Sequence, residues 1–555
     1  MFGDLQEIES GATLTADLCI IGAGIAGISL ARQFIGTPIR VCLIESGGID
    51  YEAAIQELAA GEISGHDYYP LVDSRLRFFG GTTAIWGGRS ALFDPIDLER
   101  RSWVPHSGWP IDFATLQPWY ERARDSMGLA RHAVDEQLWP QLKLDPVTFN
   151  REQLRTAFWQ FDDRHAPYGA RHCEDLRQAE NIQVITRATV SHIQAHGDGQ
   201  RIEHVCLSNP EGRRAQVQAR HFVLAAGGIE NARLLLAAND VHSNGLGNQN
   251  DCVGRYFMEH PHARGGRLHS RHSWRLLKLF ARSHKLGQHR VAASLRPGEQ
   301  LQAEAGILNT SFTLACRQHP SEKMFFGMRA YQTLKHELNP TKGNRRLWLA
   351  TKRTAVWLHQ RIDPLRPWLL EKSGRRGVYA VIRAEQAPNP DSRILLSQER
   401  DIFGVPRCNL QWRFSDIDKR SVRVTMQAFD RELQRLNLGR LEIAPWLLDS
   451  SKEWEVDPLI SSHAIGGYHH MGSTRMAADP KQGVVDGDCK VHGIDNLHIA
   501  GSSVFTTSGW ANPTLSLVAL ALRLGQHLKT GFLQPADTTA IEENQSTRTQ
   551  NSELC

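Results

Sequence analysis

A glycine turn near the N-terminus constrains the fold of this chain more than any other feature. Gly22, Gly24 and Gly27 follow the G-x-G-x-x-G spacing directly after an apolar run that begins at Leu18. The pattern predicts a strand, this turn, a helix through Phe34 and a second strand over 39–44, which together form one βαβ unit. Glycine is required here because the backbone must approach a pyrophosphate and the helix must pack closely on the strand.

The residues around the turn are those that a dinucleotide needs. The helix begins at Ile25 and Ala26, and a helix N-terminus favours phosphate groups. Glu45 ends the second strand, where a carboxylate can accept hydrogen bonds from ribose hydroxyls. The turn therefore predicts a bound dinucleotide, and by itself it does not separate FAD from NAD.

Length and composition limit the number of domains and the class of protein. A chain of 555 residues exceeds what one hydrophobic core usually serves, so we expect two joined domains. Apolar residues make up 41% and charged residues 22%, which is ordinary globular usage, and a net charge of +4 gives no reason to expect nucleic acid. The N-terminus lacks a basic start and a signal-type cleavage site, so a cytoplasmic location is the expectation.

Further elements follow from apolar periodicity and from turn residues. Asp112 can cap a helix that begins near Phe113. Paired glycines between a strand and a helix over 220–239 indicate a return to the nucleotide domain. The other predicted strands are 182–194, 201–209, 378–386, 393–397 and 409–414, and a strand and an apolar helix close the ordered chain.

Seven stretches, in this order, resemble one known family. They are residues 22–27, FFGGTTAIWGGR, VLAAGGIENARLLL, VGRYFMEHPH, YHHMGSTRM, GVVDGDCKVHGIDNLHIAGSSVFTTSG and ANPTLSLVALALRL. The chain resembles the glucose-methanol-choline (GMC) oxidoreductases, and within them the branch with bacterial sugar, polyol and aminoglycoside-type enzymes. The resemblance implies an α/β fold, with a Rossmann-like FAD domain of the p-hydroxybenzoate hydroxylase-like type. A second domain would hold the substrate on a mostly antiparallel sheet with helices.

The resemblance also implies domain boundaries. The FAD domain is expected to comprise 10–102, 183–264 and 478–534. The substrate domain is expected to comprise 103–182 and 265–477. The polar tail 535–555 is expected to be disordered.

The loop 80–88 should run along the cofactor by this resemblance. Its glycine and threonine residues offer unobstructed N–H groups and hydroxyls to an anion. Some relatives carry a covalently flavinylated histidine where this chain has Ile85, so noncovalent FAD is expected. The full set of expected cofactor-binding residues is Gly22, Gly24, Ile25, Ala26, Gly27, Glu45, Gly81, Thr82, Trp86, Gly87, Gly88, Ala226, Gly227, Gly501, Ser502, Asn512, Pro513 and Thr514.

The catalytic pair implied by the family motif is His469 and Asn512. Alcohol oxidation sends a hydride to flavin N5 and the hydroxyl proton to a base, and an imidazole with an ordinary pKa of about 6.5 suits that role. Asn512 can hydrogen-bond the substrate oxygen. His470, His463, His260 and His262 are interpreted as structural, lining the cavity at most, and no metal site is expected.

Two departures from the family pattern concern the flavin contacts. Gly501 and Ser502 stand where many members have Asp-Ala, and Thr506 stands where they have Pro. Main-chain donors in a loop can carry such contacts, so flavin binding should survive.

The sequence therefore predicts FAD-dependent oxidation of an alcohol on a sugar, polyol, cyclitol or glycoside, with O2 or another electron acceptor. Two alternatives stay open: a redox-inert lyase that contains FAD, and a noncatalytic flavoprotein subunit. The basic, aromatic-bearing segment 342–376 could dock a membrane or a partner protein. A cap helix over the substrate domain is the favoured interpretation, because Pro364 and Pro367 interrupt the segment.

Overall fold

The computed structural model describes residues 2–84, 86–162, 168–317, 350–351, 354, 357–358, 362, 365–456 and 467–533. Ile85, His463 and the predicted tail 535–555 lie outside these ranges. The strands are β1 (Phe2–Asp4), β2 (Ala12–Ile21), β3 (Val41–Ile44), β4 (Gly61–Ile63), β5 (Arg89–Ser90), β6 (Leu154–Phe161), β7 (Ile182–Thr186), β8 (Thr189–Ala195), β9 (Ile202–Ser208), β10 (Arg214–Leu224), β11 (His262–His269), β12 (Ser283–Leu286), β13 (His289–Pro297), β14 (Ser311–Arg317), β15 (Gly377–Arg383), β16 (Arg393–Arg400), β17 (Pro406–Gln411), β18 (Arg440–Ile443) and β19 (Leu497–Ile499).

The helices complete the described elements. They are α1 (Ile25–Arg32), α2 (Ala53–Gln56), α3 (Leu71–Ser74), α4 (Pro95–Leu98), α5 (Phe113–Met127), α6 (Glu174–Gln178), α7 (Gly227–Ala237), α8 (Ser273–Phe280), α9 (Glu299–Ala305), α10 (Leu365–Lys372), α11 (Asp416–Arg435), α12 (Pro445–Leu448) and α13 (Thr514–Leu533).

The first sheet is built around the predicted βαβ unit. Its strand order is β1-β7-β3-β2-β10-β9-β8, and β19 also pairs with β10. Strands β1, β7, β3, β2, β10 and β19 run parallel, while β9 and β8 run antiparallel to their neighbours. The residues of β3 are all buried, as expected for a parallel strand covered on both faces. The prediction of the N-terminal βαβ unit is confirmed.

The second sheet is antiparallel and carries different side chains on its two faces. Its order is β18-β11-β15-β14-β13-β6-β5, with β12 paired to β13. Ala380 and Ile382 of β15 pack with Met426 and Phe429 of α11 in one core. Because side chains alternate along a strand, Arg383 points to the face of the second sheet opposite that of Ile382. Trp159 of β6 points to this face as well and packs in the larger core beneath the first sheet. The predicted pairing of a nucleotide fold with an antiparallel sheet is confirmed.

Some segments contact elements that lie in the other expected domain. β4 pairs in parallel with β17, which pairs in turn with β16. Helix α5 packs beside α13, and the hydroxyl groups of Tyr120 and Ser516 lie 2.9 Å apart. The expected cap of α5 is present, since the Asp112 carboxylate accepts a hydrogen bond from the Thr115 amide. Segments of the two expected domains therefore pack on one another at several places.

The basic segment 342–376 is described only in part. The side chains of Trp357, Leu358, Leu365 and Leu369 are exposed, whereas Trp368 packs against the second core. None of the described helices combines the length and the apolarity needed to cross a bilayer.

Candidate active site

The glycine turn has the geometry that its sequence predicts. Gly22 has φ of 109°, a region that favours glycine, and a Cβ there would lie 2.6 Å from the Ala225 carbonyl oxygen. A Cβ on Gly27 would lie 1.9 Å from the carbonyl oxygen of Gly22. Glycine at these two positions therefore lets β2, α1 and the end of β10 come together.

Two further glycine segments close around the same turn. The Gly80 amide donates to the Ala23 carbonyl at 2.8 Å, and a Cβ on Gly81 would lie 3.6 Å from Cα of Gly24. On the other side, a Cβ on Gly228 would lie 2.3 Å from the carbonyl oxygen of His470. The loop 80–88 and the start of α7 thus link the glycine turn to the segment that holds His469.

Space for a cofactor lies along these segments. A Cβ built on Gly24, Gly87, Gly227 or Gly501 meets no heavy atom within 4 Å, although each of these glycines adjoins a buried or closely packed segment. All four belong to the expected set: Gly24 in the glycine turn, Gly87 in the loop 80–88, Gly227 in the turn before α7 and Gly501 in the C-terminal loop. This cradle of backbone without side chains fits an extended dinucleotide.

The remaining expected cofactor residues flank the cradle. Thr82 and Trp86 lie in the loop 80–88, where the Trp86 amide donates to the Thr82 carbonyl at 3.1 Å. A Cβ on Gly88 would lie 2.4 Å from the Asp162 carbonyl oxygen, which fixes the end of that loop. Pro513 and Thr514 stand at the start of α13, where the helix N-terminus carries partial positive charge. Ala226 precedes α7, and its amide donates to Asn231 at 2.9 Å.

Glu45 holds the glycine turn directly. Its carboxylate accepts hydrogen bonds from the amides of Ala23 and Gly47, each at 3.0 Å. Burial, the largest influence, raises the pKa of this carboxyl, while the two amides and Arg77 oppose the rise. A carboxylate has about four acceptor positions, so contact with ribose hydroxyls is compatible with these bonds.

Replacement of Gly24 by alanine separates cofactor binding from folding. Gly24 has φ of −79° and open space around its Cβ position, so we expect Gly24→Ala to fold with an unchanged Tm. A methyl group in the pyrophosphate path should weaken FAD binding about 10- to 100-fold. Flavin fluorescence titration of the apoprotein measures this, with Gly197→Ala, also in open space, as the matched control. Unchanged FAD affinity would contradict the assignment of the cradle.

A backbone bridge between Met258 and Met471 places His469 opposite a second histidine. Met258 and Met471 exchange backbone hydrogen bonds of 2.9 and 3.0 Å in an antiparallel bridge. In that register, His260 lies directly opposite His469, and both point to the same side. The Nδ1 atoms of the two rings are 2.8 Å apart.

The hydrogen-bond chain defines the tautomers of both rings. His260 Nε2 faces the carbonyl oxygens of Ser508 and Gly509 at 3.1 and 2.9 Å, so it must carry a proton. Neutral His260 then has an unprotonated Nδ1, which accepts the Nδ1–H of His469. His469 is left with its lone pair on Nε2, where the amide nitrogen of Asn512 lies 3.1 Å away. This arrangement presents an unprotonated imidazole nitrogen beside an amide donor.

Glu259 anchors the backbone of the same segment. Its buried carboxylate accepts from the His469 amide at 2.8 and 2.9 Å and from the hydroxyls of Tyr68 and Tyr69. Tyr468 has φ of 60°, unusual for a bulky residue, and its ring packs 4.5 Å from that of Tyr69. Strained backbone of this kind is typical of functional sites, because the surroundings must hold it in place.

The protein environment keeps His469 neutral. Its pKa lies well below the ordinary value because of burial first, and then because of the neighbours His260, His262, His470 and Arg383. Burial also lowers the pKa of His260 and, to about 3, that of His470. His469 is therefore a free base at neutral pH.

The two departures from the family pattern support the loop that carries His469. The Ser502 hydroxyl donates to the His470 carbonyl at 2.7 Å, and the Thr506 hydroxyl donates to the Met476 carbonyl at 3.0 Å. Gly501 has φ of 123°, which favours glycine. These positions therefore hold the chain from 470 to 476 against the cradle.

The structure brings His469 and Asn512 together, as the sequence predicts. Sequence reasoning missed the contact that His260 makes with His469 and the anchoring by Glu259. Both residues lie in the matched stretch VGRYFMEHPH, which was the available signal. Within the described ranges, no three His, Cys, Asp or Glu side chains are grouped in a way that could hold a metal ion.

Known proteins resemble this chain along most of its length. Residues 388–521 match the family profile described as GMC oxidoreductase, and residues 17–244 match the profile described as FAD dependent oxidoreductase. The fructose dehydrogenase large subunit of Gluconobacter japonicus is 22% identical over 93% of this chain and 98% of that protein. The 6'''-hydroxyparomomycin C oxidase of Streptomyces lividus is 24% identical over 91% of this chain and 90% of that protein.

Solved structures share the fold. Pyridoxine 4-oxidase from Mesorbium loti superposes with a TM-score of 0.53 at 15% identity, covering 93% of this chain and 99% of that one. Formate oxidase gives a TM-score of 0.51 at 15% identity, covering 94% and 99%. The two profile matches include the glycine turn and Asn512 with its preceding loop. Residues 388–521 therefore form a GMC oxidoreductase domain and residues 17–244 an FAD-dependent oxidoreductase domain, and the chain is an FAD-dependent oxidoreductase that acts on CH–OH donors.

Proposed function

We propose that this protein oxidises a hydroxyl-bearing carbon of a sugar, polyol, cyclitol or glycoside, with His469 as the base. The observation that carries the proposal is the chain from Asn512 through His469 to His260, which leaves an unprotonated Nε2 next to an amide donor. The named activities of relatives such as the fructose dehydrogenase large subunit and C-glycoside 3-oxidase support the substrate class.

The residues would divide the reaction as follows. Bound FAD supplies the acceptor for the hydride that leaves the substrate carbon. On substrate binding, the Asn512 N–H that lies 3.1 Å from Nε2 of His469 would turn to donate to the substrate oxygen, and the freed Nε2 lone pair would accept the hydroxyl proton. The imidazolium of His469 keeps its Nδ1–H bonded to Nδ1 of His260, which stabilises the positive ring in one orientation.

FAD would lie in the cradle without a covalent bond. We propose that Gly24 and Gly227 face the pyrophosphate, that Gly22 and Gly27 allow the close packing which shapes the turn, and that Glu45 meets the ribose. Ile85 has no nucleophilic atom for a bond to the flavin, and it lies outside the described residues. Precipitation with acid would leave the flavin in the supernatant if this is correct.

The division into domains also remains a proposal. The first sheet and α13 would carry FAD on 10–102, 183–264 and 478–534, and the second sheet would carry the substrate on 103–182 and 265–477. The proposal does not use the segment 342–376 as a docking surface. Its exposed Trp357 and Leu358 are compatible with one, while Trp368 packs inward as a cap would.

An anaerobic screen tests the function. Purified holoenzyme is mixed with sugars, polyols, glycosides and simple alcohols, and loss of the oxidised flavin absorbance is followed before and after air is admitted. An oxidoreductase reduces its flavin with a substrate of its class, whereas a lyase or a noncatalytic subunit leaves the flavin oxidised throughout. Recovery of the absorbance in air reports whether O2 is an acceptor.

The low pKa of His469 predicts an unusual pH dependence. The base works only when Nε2 is unprotonated, and a lowered pKa keeps it so as the pH falls through 6.5. We therefore expect kcat/KM, which reports the free enzyme, to stay level through that value and to decline only at distinctly lower pH. An acid limb centred at or above the ordinary histidine pKa would contradict this environment for His469.

A further inference from the structure

Two arginines on the sheet face toward His469 have no acidic partner among the residues that the structure describes. Arg383 lies on β15 and Arg89 on β5, and their Cζ atoms lie 5.3 and 4.6 Å from the ring centre of Trp159. Within the described ranges, no carboxylate forms a salt bridge with either guanidinium group, and Nη1 of Arg383 has no hydrogen-bond partner. We call Arg89, Arg383 and Trp159 the arginine wall.

Burial of the two positive charges in the arginine wall lowers the free energy of unfolding when no anion is bound there. Burial is the main cause that lowers the pKa of Arg89, to about 10, and that of Arg383. The charged neighbours that add to these shifts are other arginines: Arg290 for Arg89, and Arg89 with Arg317 for Arg383. Proteins rarely bury like charges without a counter-charge, because desolvation and repulsion both oppose folding.

Both side chains also keep part of their surface accessible. Arg89 and Arg383 are only half-buried by surface area, although they lie deep enough for desolvation to dominate their pKa values. His469 is also partly accessible, and the charge of Arg383 contributes to its lowered pKa. Arg383 and His469 are therefore close enough for their charges to interact, and both keep surface that a ligand can contact.

Further buried nitrogens without a partner among the described residues lie near the arginine wall. The indole N–H groups of Trp159 and Trp510 are buried without a hydrogen-bond partner among the described residues, and their rings lie 5.7 Å apart. His262 stands directly opposite Arg383 across β11 and β15, and its buried Nδ1 is also unpaired within those residues. Buried polar groups are normally satisfied, so the unpaired N–H groups of Arg383, Trp159 and Trp510 indicate a ligand rich in acceptors.

We propose that the arginine wall binds an anionic group of the alcohol substrate, either a carboxylate or a phosphate monoester. The substrate is then a polyhydroxylated acid or a phosphorylated polyol, rather than a neutral or cationic alcohol. Guanidinium groups bind both anions through paired N–H donors, and the charge-assisted bonds strengthen away from water. This inference rests on the proposed function, since it names the class of substrate that would meet His469.

Matched substrates test the inference on the holoenzyme. Anaerobic flavin reduction is compared for glucose, gluconate and glucose 6-phosphate, and for glycerol, glycerate and glycerol phosphate. We expect an anionic member of one series to have a KM at least about 10-fold below that of its neutral counterpart. The carboxylate and phosphate arms show which anion the site prefers. Neutral members that react as well as, or better than, every anionic member overturn the inference.

Variants of Arg383 give the second arm. Arg383→Met should raise KM for the preferred anion about 10- to 100-fold, a loss at least about 10-fold larger than that for the matched neutral alcohol, while Arg383→Lys restores part of the loss. Removal of an unpaired buried charge should leave Tm equal to or above that of the wild type, which a purely structural arginine would not do. Arg271→Met, on an exposed arginine, is the control. Equal losses for neutral and anionic substrates overturn the inference.

A separate readout covers failure of the proposed function. If no compound reduces the flavin, gluconate, glucose 6-phosphate and inorganic phosphate are titrated against the oxidised holoenzyme, and the shift of the flavin spectrum is recorded. Saturable binding by the wild type that Arg383→Met abolishes supports the anion site without any turnover. The absence of saturable binding by all three anions overturns it.

Discussion

Replacement of His469 by glutamine should slow anaerobic flavin reduction about 10³-fold, while the protein keeps its FAD. Glutamine retains a side chain of comparable length and polarity but has no nitrogen that can accept a proton near neutral pH. The loss corresponds to roughly 4 kcal/mol of transition-state stabilisation. Stopped-flow measurement of flavin reduction at saturating substrate gives the rate directly.

The environment of His469 makes a smaller effect difficult to explain. Its Nε2 is the unprotonated nitrogen in the Asn512–His469–His260 chain, so no neighbouring group takes over the proton without a rearrangement. His272→Gln changes an exposed histidine at the start of α8 and serves as the control for a generic His-to-Gln effect. If His469→Gln reduces its flavin within about 10-fold of the wild-type rate, the assignment of the base is wrong.

The sequence predicted the elements whose signals are local. The glycine turn after an apolar strand predicted β2, α1 and β3, and the paired glycines before an apolar helix predicted the turn from β10 into α7. These predictions succeed because backbone conformation and periodicity are decided by neighbouring residues. The same local signals located the cradle that the glycines form.

The contacts that complete the site are not local, and the sequence could not show them. His260 and His469 are 209 residues apart and meet through the single bridge between Met258 and Met471. Periodicity within either segment contains no information about that register. His260 was therefore interpreted as structural, although it determines which nitrogen of His469 is free.

The arginine wall illustrates the same limit. Arg89, Trp159 and Arg383 come from three separate strands, and only the sheet order brings β5 and β6 into the same sheet as β15. Each residue alone resembles an ordinary member of a strand or loop. Their meaning depends on the absence of a counter-charge within the described residues, which is a property of the folded site.

Replacement of His260 tests whether its contact with His469 positions the base. His260→Phe removes the acceptor for the Nδ1–H of His469, so the proton can move to Nε2 and the lone pair then points away from the substrate. We expect kcat for flavin reduction to fall about 10²-fold with little change in KM, because an imidazole in the wrong tautomer cannot accept the hydroxyl proton.

Glutamine at position 260 separates this effect from simple loss of packing. Its amide nitrogen can donate to the carbonyls of Ser508 and Gly509, and its amide oxygen can accept from His469, which reproduces both bonds of the imidazole. His260→Gln should therefore return kcat to within about 10-fold of the wild type, and both variants should retain FAD. If His260 were purely structural, both variants would lose Tm and rate in parallel, because neither phenylalanine nor glutamine fills the space of the imidazole ring as histidine does. Recovery of rate by glutamine alone follows only if the hydrogen bond to Nδ1 keeps Nε2 of His469 free for the substrate proton.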